Sequence, residues 1–131
     1  MKKSAWLIAS LVITALLLQG SQVFNADKAS INDQVFKYPS EVKKVIDQKC
    51  YGCHSEKGKS EDARKALMWD DLPNLEKSKV LATLDGIIEV LEDGAMPPED
   101  VVKKYPEMKL HEDESTLLKT WAESKADSLM K

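Results

Sequence analysis

The side chains best suited to chemistry are two thiols and an imidazole that lie close together in the sequence. The segment CYGCH at residues 50–54 contains both cysteines of the chain, Cys50 and Cys53, and His54 follows directly. Thiols at this spacing could form a disulfide, exchange disulfides with another protein, or supply half of a zinc site. They could also bond to the two vinyl groups of one porphyrin while the adjacent imidazole binds its iron.

The first three possibilities fit the rest of the sequence poorly. A stabilising disulfide usually closes a longer loop, whereas the loop between Cys50 and Cys53 would hold only two residues. A thioredoxin-like pair belongs in a βαβ unit, and this chain shows helical patterns only. Structural zinc normally has four ligands, but there is no third Cys, and the only other His is His111. We therefore predict one covalent haem c, held through Cys50, Cys53 and His54.

The N-terminus has the layout of an export signal. Lys2 and Lys3 form a basic start, and residues 5–18 contain neither a charge nor a proline. This apolar run of 14 residues is shorter than the roughly 20 residues that span a membrane as a helix. Residues 1–26 are therefore predicted to be a signal peptide or, if uncleaved, an N-terminal membrane anchor. The expected location is periplasmic or otherwise extracytoplasmic, which is where c-type haem is attached.

The remaining length and charge limit the function further. The chain of 131 residues has room for one small domain, with residues 27–37 as a polar spacer and residues 38–131 as the haem-binding domain. Without residues 1–26, which contain two lysines, the chain has 17 basic and 22 acidic side chains, a net charge of −5. Nucleic acid is not an expected partner, because its phosphates need a basic surface, whereas a redox protein with a basic docking surface is compatible.

The elements around the motif are predicted to be helices. A first helix starts at Ser40 after a proline and carries apolar residues on one face up to Cys50. A second is capped by Ser60 and is expected to run to about Leu72, where a proline follows.

Two further helices complete the predicted domain. The third, expected to be capped by Asn74 and ended by Gly94, is the most strongly amphipathic. Its apolar positions are Val80, Leu81, Leu84, Ile87, Ile88 and Leu91. The last begins around His111 to Glu114, and one of its faces carries Leu118, Trp121, Ala122 and Leu129. Because no convincing strand is present, we predict an all-α domain of about four helices.

These features together resemble those of small class I cytochromes c. The chain has a CxxCH motif entered from a helix, a Met–Pro loop about forty residues later and a closing helix with a Trp. More narrowly, it is similar to the haem-binding domain family of exported single-haem cytochromes over residues 38–124. Beyond CxxCH, this similarity depends on EDGAMPP at residues 92–98, on Tyr105–Pro106, Leu110 and Trp121–Ala122. It implies a class I cytochrome c-like domain around one covalent haem.

The resemblance also implies a set of ligands. Cys50 and Cys53 would form thioether bonds, while His54 and Met96 would bind the iron. No Gly-Pro-x-Leu follows the haem motif, although in many class I cytochromes c the carbonyl of that proline fixes the iron-binding His. Pro73 is the candidate for this role here.

Met108 is the rival to Met96 as the second iron ligand. It follows Tyr105–Pro106 in a second loop. Met96 is favoured because the two prolines that follow it restrict the backbone and give the thioether a stiff carrier. His111 is expected to be a surface residue, since it lies among acidic side chains at the start of a helix.

Three functions follow from this reading. The first is an electron carrier, not an enzyme, between a redox donor protein and a redox acceptor protein, because two protein ligands leave the iron no open position. The second is a haem-based sensor or peroxidase-like enzyme with an open or exchangeable distal site. The third is a structural or assembly role in which the haem holds an interaction module together.

Overall fold

A computed structural model describes residues 36–131, so the predicted signal peptide and most of the spacer lie outside the described part of the chain. Within those residues there are five α-helices and no β-strand, which confirms the all-α prediction with one helix more than expected. The helices are α1 (Ser40–Val45), α2 (Glu61–Ala66), α3 (Lys77–Glu92), α4 (Glu99–Lys104) and α5 (Glu112–Met130). None of the helices described is long and apolar enough to cross a membrane.

Helix α1 leads into the cysteine motif through a wider turn. It starts directly after Pro39, and its continuation Ile46–Cys50 is π-helical. The N–H of Tyr51 donates to the carbonyl of Ile46 at 2.8 Å, which spans five residues instead of four. The buried side chains on this element are Val42, Val45 and Ile46. The prediction of a helix that ends at Cys50 is therefore confirmed, with a change of helix type in its last turn.

Helix α2 is shorter than predicted. The hydroxyl of Ser60 accepts a hydrogen bond from the N–H of Ala63 at 3.2 Å, which confirms the N-cap. The helix ends at Ala66, since Leu67 is extended with φ −157° and ψ 131°. The expected extension to Leu72 is wrong, because the extended backbone at Leu67 turns a carbonyl toward the imidazole of His54.

The start of α3 also differs from the prediction. Leu72–Asn74 forms a separate 3₁₀ turn, and the side chain of Asn74 donates to the carbonyl of Asp70. The residue that precedes α3 is Glu76, so the assignment of Asn74 as its N-cap is wrong. The helix itself and its end are confirmed, since Gly94 adopts the left-handed conformation with φ 62°.

Helices α3 and α5 pack against each other and form the centre of the fold. Val80 and Leu84 of α3 and Leu118 of α5 are fully or almost fully buried. Helix α5 starts with a capping box, in which the N–H of His111 donates to Glu114 Oε2 at 2.9 Å. This confirms the predicted start and the predicted buried face of the closing helix.

Helix α4 was not anticipated from the sequence. It follows Pro98, has acidic residues in its first turn and ends with Lys103 and Lys104. This distribution of charge complements the helix dipole at both ends. A 3₁₀ turn, Pro106–Met108, follows α4 and connects it to the start of α5.

Four aromatic rings form the core next to α5. Trp121 lies 6.2 Å from Phe36, 5.5 Å from Tyr38 and 6.2 Å from Trp69, measured between ring centroids. Phe36 belongs to the predicted spacer, yet it is buried in this cluster, because its ring fills the space beside Trp121. The packed part of the chain thus includes Phe36, two residues before Tyr38.

Candidate functional site

The predicted site residues line one cavity of about 410 Å³. Cys50, Cys53, His54 and Met96 all contribute to its wall. Most of the other lining side chains are apolar, and the volume lies within the range of about 300–1,000 Å³ typical of ligand pockets. The structure thus brings together residues that are 46 positions apart in the chain.

The backbone holds the two cysteines and the histidine in a tight turn. Cys50 is the last residue of the π-helical turn, and its carbonyl accepts hydrogen bonds from the N–H groups of Cys53 and His54 at 3.1 and 3.0 Å. Cys50 and Cys53 are not joined by a disulfide. The three side chains can therefore all reach into the same cavity.

The thiol of Cys50 is held in its neutral form. Burial, the nearby Cys53 and the negative charge of Glu114 together raise its pKa to about 12, and burial has the largest effect. Zinc binding and disulfide exchange both use the thiolate. The neutral thiol of Cys50 is therefore poorly suited to zinc binding or disulfide exchange. Burial of the sulfur is compatible with a thioether bond, because a thioether has no proton to lose.

The imidazole of His54 is oriented by two backbone carbonyls. Its Nδ1 lies 2.9 Å from the carbonyl oxygen of Ala63 and 3.1 Å from that of Leu67. Carbonyl oxygens only accept hydrogen bonds, so Nδ1 carries the proton and donates. Nε2 makes no hydrogen bond within residues 36–131, and its lone pair is available to a metal. Pro73 was the candidate for this orienting role, and the carbonyls of α2 and its C-cap take it instead.

The loop after the motif closes tightly over Cys53. The N–H of Gly58 donates to the carbonyl of Ser55 at 2.8 Å, and the guanidinium of Arg64 donates to the carbonyl of Gly58. A Cβ on Gly58 would overlap the carbonyl group of Cys53, so only glycine fits. Gly52, between the two cysteines, has no such neighbour within 4 Å.

Helix α3 supplies part of the cavity wall. Gly86 faces the cavity between Thr83, Ile87 and Val90, and a Cβ on it would meet nothing within 4 Å. Gly86 was not predicted as a site residue, although a glycine in a helix interior costs about 1 kcal/mol relative to alanine and therefore signals a local requirement. The missing side chain lets a flat ligand approach the helix backbone.

Both candidate thioethers line the cavity. Met96 lies on the loop between α3 and α4 and is 38% exposed, while Met108 is the last residue of the 3₁₀ turn. Met68, Met130 and His111 are not among the lining residues. The structure thus keeps Met108 as a rival to Met96.

Two further lining residues carry polar atoms that the sequence analysis did not single out. The Nε1 of Trp69 is buried and has no hydrogen-bond partner within residues 36–131. Lys49 lines the cavity next to Cys50, and its side chain is only 11% exposed. Within the described residues, no group of three or more His, Cys, Asp or Glu side chains is placed to hold a metal ion.

Comparisons with protein-family models, with curated proteins and with solved structures give no match. The chemistry of the cavity must therefore be inferred from the chain's own side chains.

Proposed function

We propose that this chain is a monohaem c-type cytochrome that carries electrons between a donor and an acceptor protein in an extracytoplasmic compartment. One observation carries the proposal: Cys50, Cys53 and His54 line a single apolar cavity, and the Nδ1 of His54 is already committed to two carbonyls. Metal-binding histidines typically donate the other ring N–H to a backbone carbonyl or carboxylate in this way.

The cavity wall fits a haem through its apolar lining and its open space. Most of the lining side chains are apolar, and Gly86 leaves room against α3. A porphyrin is flat and largely apolar, so it would bury its surface against such a wall.

Each side chain has a defined role in this proposal. The sulfur atoms of Cys50 and Cys53 would form the thioether bonds, and Nε2 of His54 would bind the iron. The thioether of Met96 would be the second protein ligand, a soft donor that raises the reduction potential. The bound haem would supply a one-electron Fe(III)/Fe(II) couple.

The fold around the cavity supports the narrower assignment to a class I cytochrome c-like domain. A helix enters the motif at Cys50, a Met–Pro loop follows α3, and α5 closes the domain with Trp121. We extend this to the haem-binding domain family of exported single-haem cytochromes, whose features the sequence shares.

The proposed location and partners depend on the N-terminal signal and the charge of the exported chain. Residues 1–26 would direct export and would anchor the protein if they are not removed. The net charge of −5 that remains would favour partners with a basic docking surface.

Expression in a host that attaches c-type haem tests the proposal. We expect acid-acetone extraction to leave the haem on the chain, and the intact mass to increase by that of one haem. The double variant Cys50→Ala, Cys53→Ala should release its colour into the organic phase or carry none. Extraction of the haem from the wild-type protein would overturn the proposal.

Carbon monoxide separates the electron carrier from the sensor or peroxidase. A ferrous haem with two protein ligands should bind carbon monoxide slowly or not at all, since the distal position is taken. Rapid binding would instead favour the open or exchangeable site.

A further inference from the structure

Lys49 connects the haem-attachment turn to a distant part of the chain. Its Nζ donates to the carbonyl of Glu107 at 2.6 Å and to that of Lys109 at 3.1 Å. These two carbonyls lie on either side of Met108. The backbone around Met108 is therefore fastened to the residue that directly precedes Cys50.

A negative charge supports this contact. Glu114 Oε2 lies 3.9 Å from Nζ of Lys49 and also accepts the hydrogen bond from the N–H of His111. The ammonium group, 11% exposed as a side chain, thus has two carbonyl acceptors and a nearby carboxylate. Hydrogen bonds from a charged donor are stronger than those between neutral groups, so this clamp holds the turn firmly. We refer to Lys49 and the carbonyls of Glu107 and Lys109 as the Lys49 clamp.

The cavity presents two thioethers for one position. Met96 and Met108 both line it, whereas a haem iron that is bound by a porphyrin and His54 has only one position left. The Lys49 clamp acts on the backbone of Met108 alone. The loop of Met96 is attached through the N–H of Ala95, which donates to the carbonyl of Val90 at 2.9 Å.

The Lys49 clamp restrains the backbone of one of the two methionines, Met108, and not that of Met96. Lys49 directly precedes Cys50, which would be bonded to the haem, so the Met108 turn is tied to the attachment turn itself. The Met96 loop has no such tie to the attachment turn among the hydrogen bonds of residues 36–131. Its stiff backbone can therefore take its position independently of the attachment turn.

We propose that Lys49 is a positioning residue that keeps Met108 in the cavity wall and so leaves the iron to Met96. This inference rests on the proposed function, because it requires a covalent haem with a methionine ligand.

Proton NMR of the ferrous holoprotein tests the proposal, since the porphyrin ring current shifts the methyl group of an iron-bound methionine far upfield. We expect one such methyl signal in the wild type and a second one in Lys49→Leu, where Met108 is released. The second signal should vanish in the double variant Lys49→Leu, Met108→Leu. Lys49→Arg, which keeps a charged donor, should show the single signal. Lys109→Leu is the matched control, because it removes an exposed lysine of the same turn and leaves the clamp intact.

Two results would overturn the proposal. One is an unchanged single signal in Lys49→Leu, and the other is loss of the wild-type signal in Met108→Leu alone. If Lys49→Leu does not accumulate as holoprotein, Lys49→Gln replaces it and should show the second signal at a smaller proportion. An unchanged signal there overturns the proposal equally. Failure of the proposed function would look different, because the wild type itself would lack covalent haem or the shifted methyl signal.

Discussion

The backbone N–H of Trp69 donates a hydrogen bond of 3.1 Å to the carbonyl oxygen of His54. The carbonyl of the same Trp69 accepts from the hydroxyl of Tyr38 at 2.8 Å. The proposed haem ligand is therefore connected through one residue to the aromatic core. Substitutions in that core should therefore affect the position of His54 in the cavity as well as the stability of the fold.

Truncation of Trp121 should destabilise the protein strongly. Its side chain is 9% exposed and contacts three other aromatic rings. We expect Trp121→Ala to lower the free energy of unfolding of the holoprotein by about 3–5 kcal/mol in denaturant melts. Leu117→Ala, at a 36% exposed position of the same helix, should cost far less. A loss below about 1 kcal/mol for Trp121→Ala would show that the ring is not part of the core.

Glycine replacement should be tolerated between the two cysteines and not in the loop after the motif. In Gly58→Ala the new methyl group would overlap the carbonyl of Cys53, so the loop must open and the motif must shift. We expect a severalfold lower yield of holoprotein, measured as the ratio of haem to protein. Gly52→Ala places a methyl group in open space and should attach haem as the wild type does. Equal yields for both variants would contradict the tight closure.

A side chain on the cavity face of α3 should exclude the haem. Gly86→Leu would fill the space against which the ring is proposed to lie, while it would favour the helix itself. Haem attachment should drop severalfold, and the helical circular dichroism of the protein without haem should not fall. Asp85→Leu adds the same side chain at the exposed neighbouring position and should leave attachment unchanged. Normal haem attachment in Gly86→Leu would show that the haem does not lie against Gly86.

The far-red charge-transfer band of ferric, methionine-bound haem should depend on Met96. We expect the band in the wild type and in Met108→Ala, and its loss in Met96→Ala, because the thioether ligand is then absent. A band that survives Met96→Ala and disappears in Met108→Ala would reverse the assignment. A wild-type protein that never shows the band would favour the open distal site.

Tyr38 should make the stability fall at high pH. Burial raises its pKa above the usual 10.0, and the negative charge of Asp70 adds to this effect. The unfolded chain therefore loses this proton at lower pH than the folded chain does. The stabilising contribution is complete below about pH 10 and decreases as the pH rises above that value.

Unfolding of Tyr38→Phe at two pH values checks this prediction. At about pH 8 the variant should be less stable by about 0.5–1.5 kcal/mol, because the hydrogen bond to Trp69 is lost. At about pH 11 the difference from the wild type should become smaller, since phenylalanine does not ionise. Tyr105→Phe, at a 41% exposed position, should show neither effect. If the difference in unfolding free energy between Tyr38→Phe and the wild type is the same at both pH values, ionisation of Tyr38 is not coupled to folding.

The elements predicted correctly from the sequence are those whose signals are local. Each acts within its own segment: apolar periodicity forms α3, the Ser60 side chain caps the start of α2, and Gly94 ends α3. Helix α4 was not predicted, although it too has a local signal. Its acidic first turn and its basic last turn follow directly after Pro98.

Other features depend on contacts that no local pattern contains. The extended backbone at Leu67 ends α2 early. It also lets the carbonyl of Leu67 accept a hydrogen bond from His54, which lies 13 residues earlier in the chain. Lys49 contacts carbonyls 58 and 60 residues away, so its role could not be read from its neighbours. The choice between Met96 and Met108 is of the same kind, because both lie close to a proline in a loop and neither local pattern shows which one reaches the iron.

The wide turn at Ile46–Cys50 sets the side of the helix on which Cys50 lies. A π-helical turn corresponds to an α-helix with one residue inserted, and each residue of an α-helix rotates the chain by about 100°. If the same residues formed a regular α-helix, Cys50 would therefore lie about 100° further around the helix axis. Deletion of Asp47 would allow the turn to relax to the α-helical hydrogen-bond pattern and would leave Cys50 on nearly the same side, because four α-helical residues cover almost the rotation of five π-helical ones. A chain one residue shorter at this point would thus still direct CxxCH toward the cavity, whereas a chain of the same length without the wide turn would retain every residue of CxxCH and misplace it.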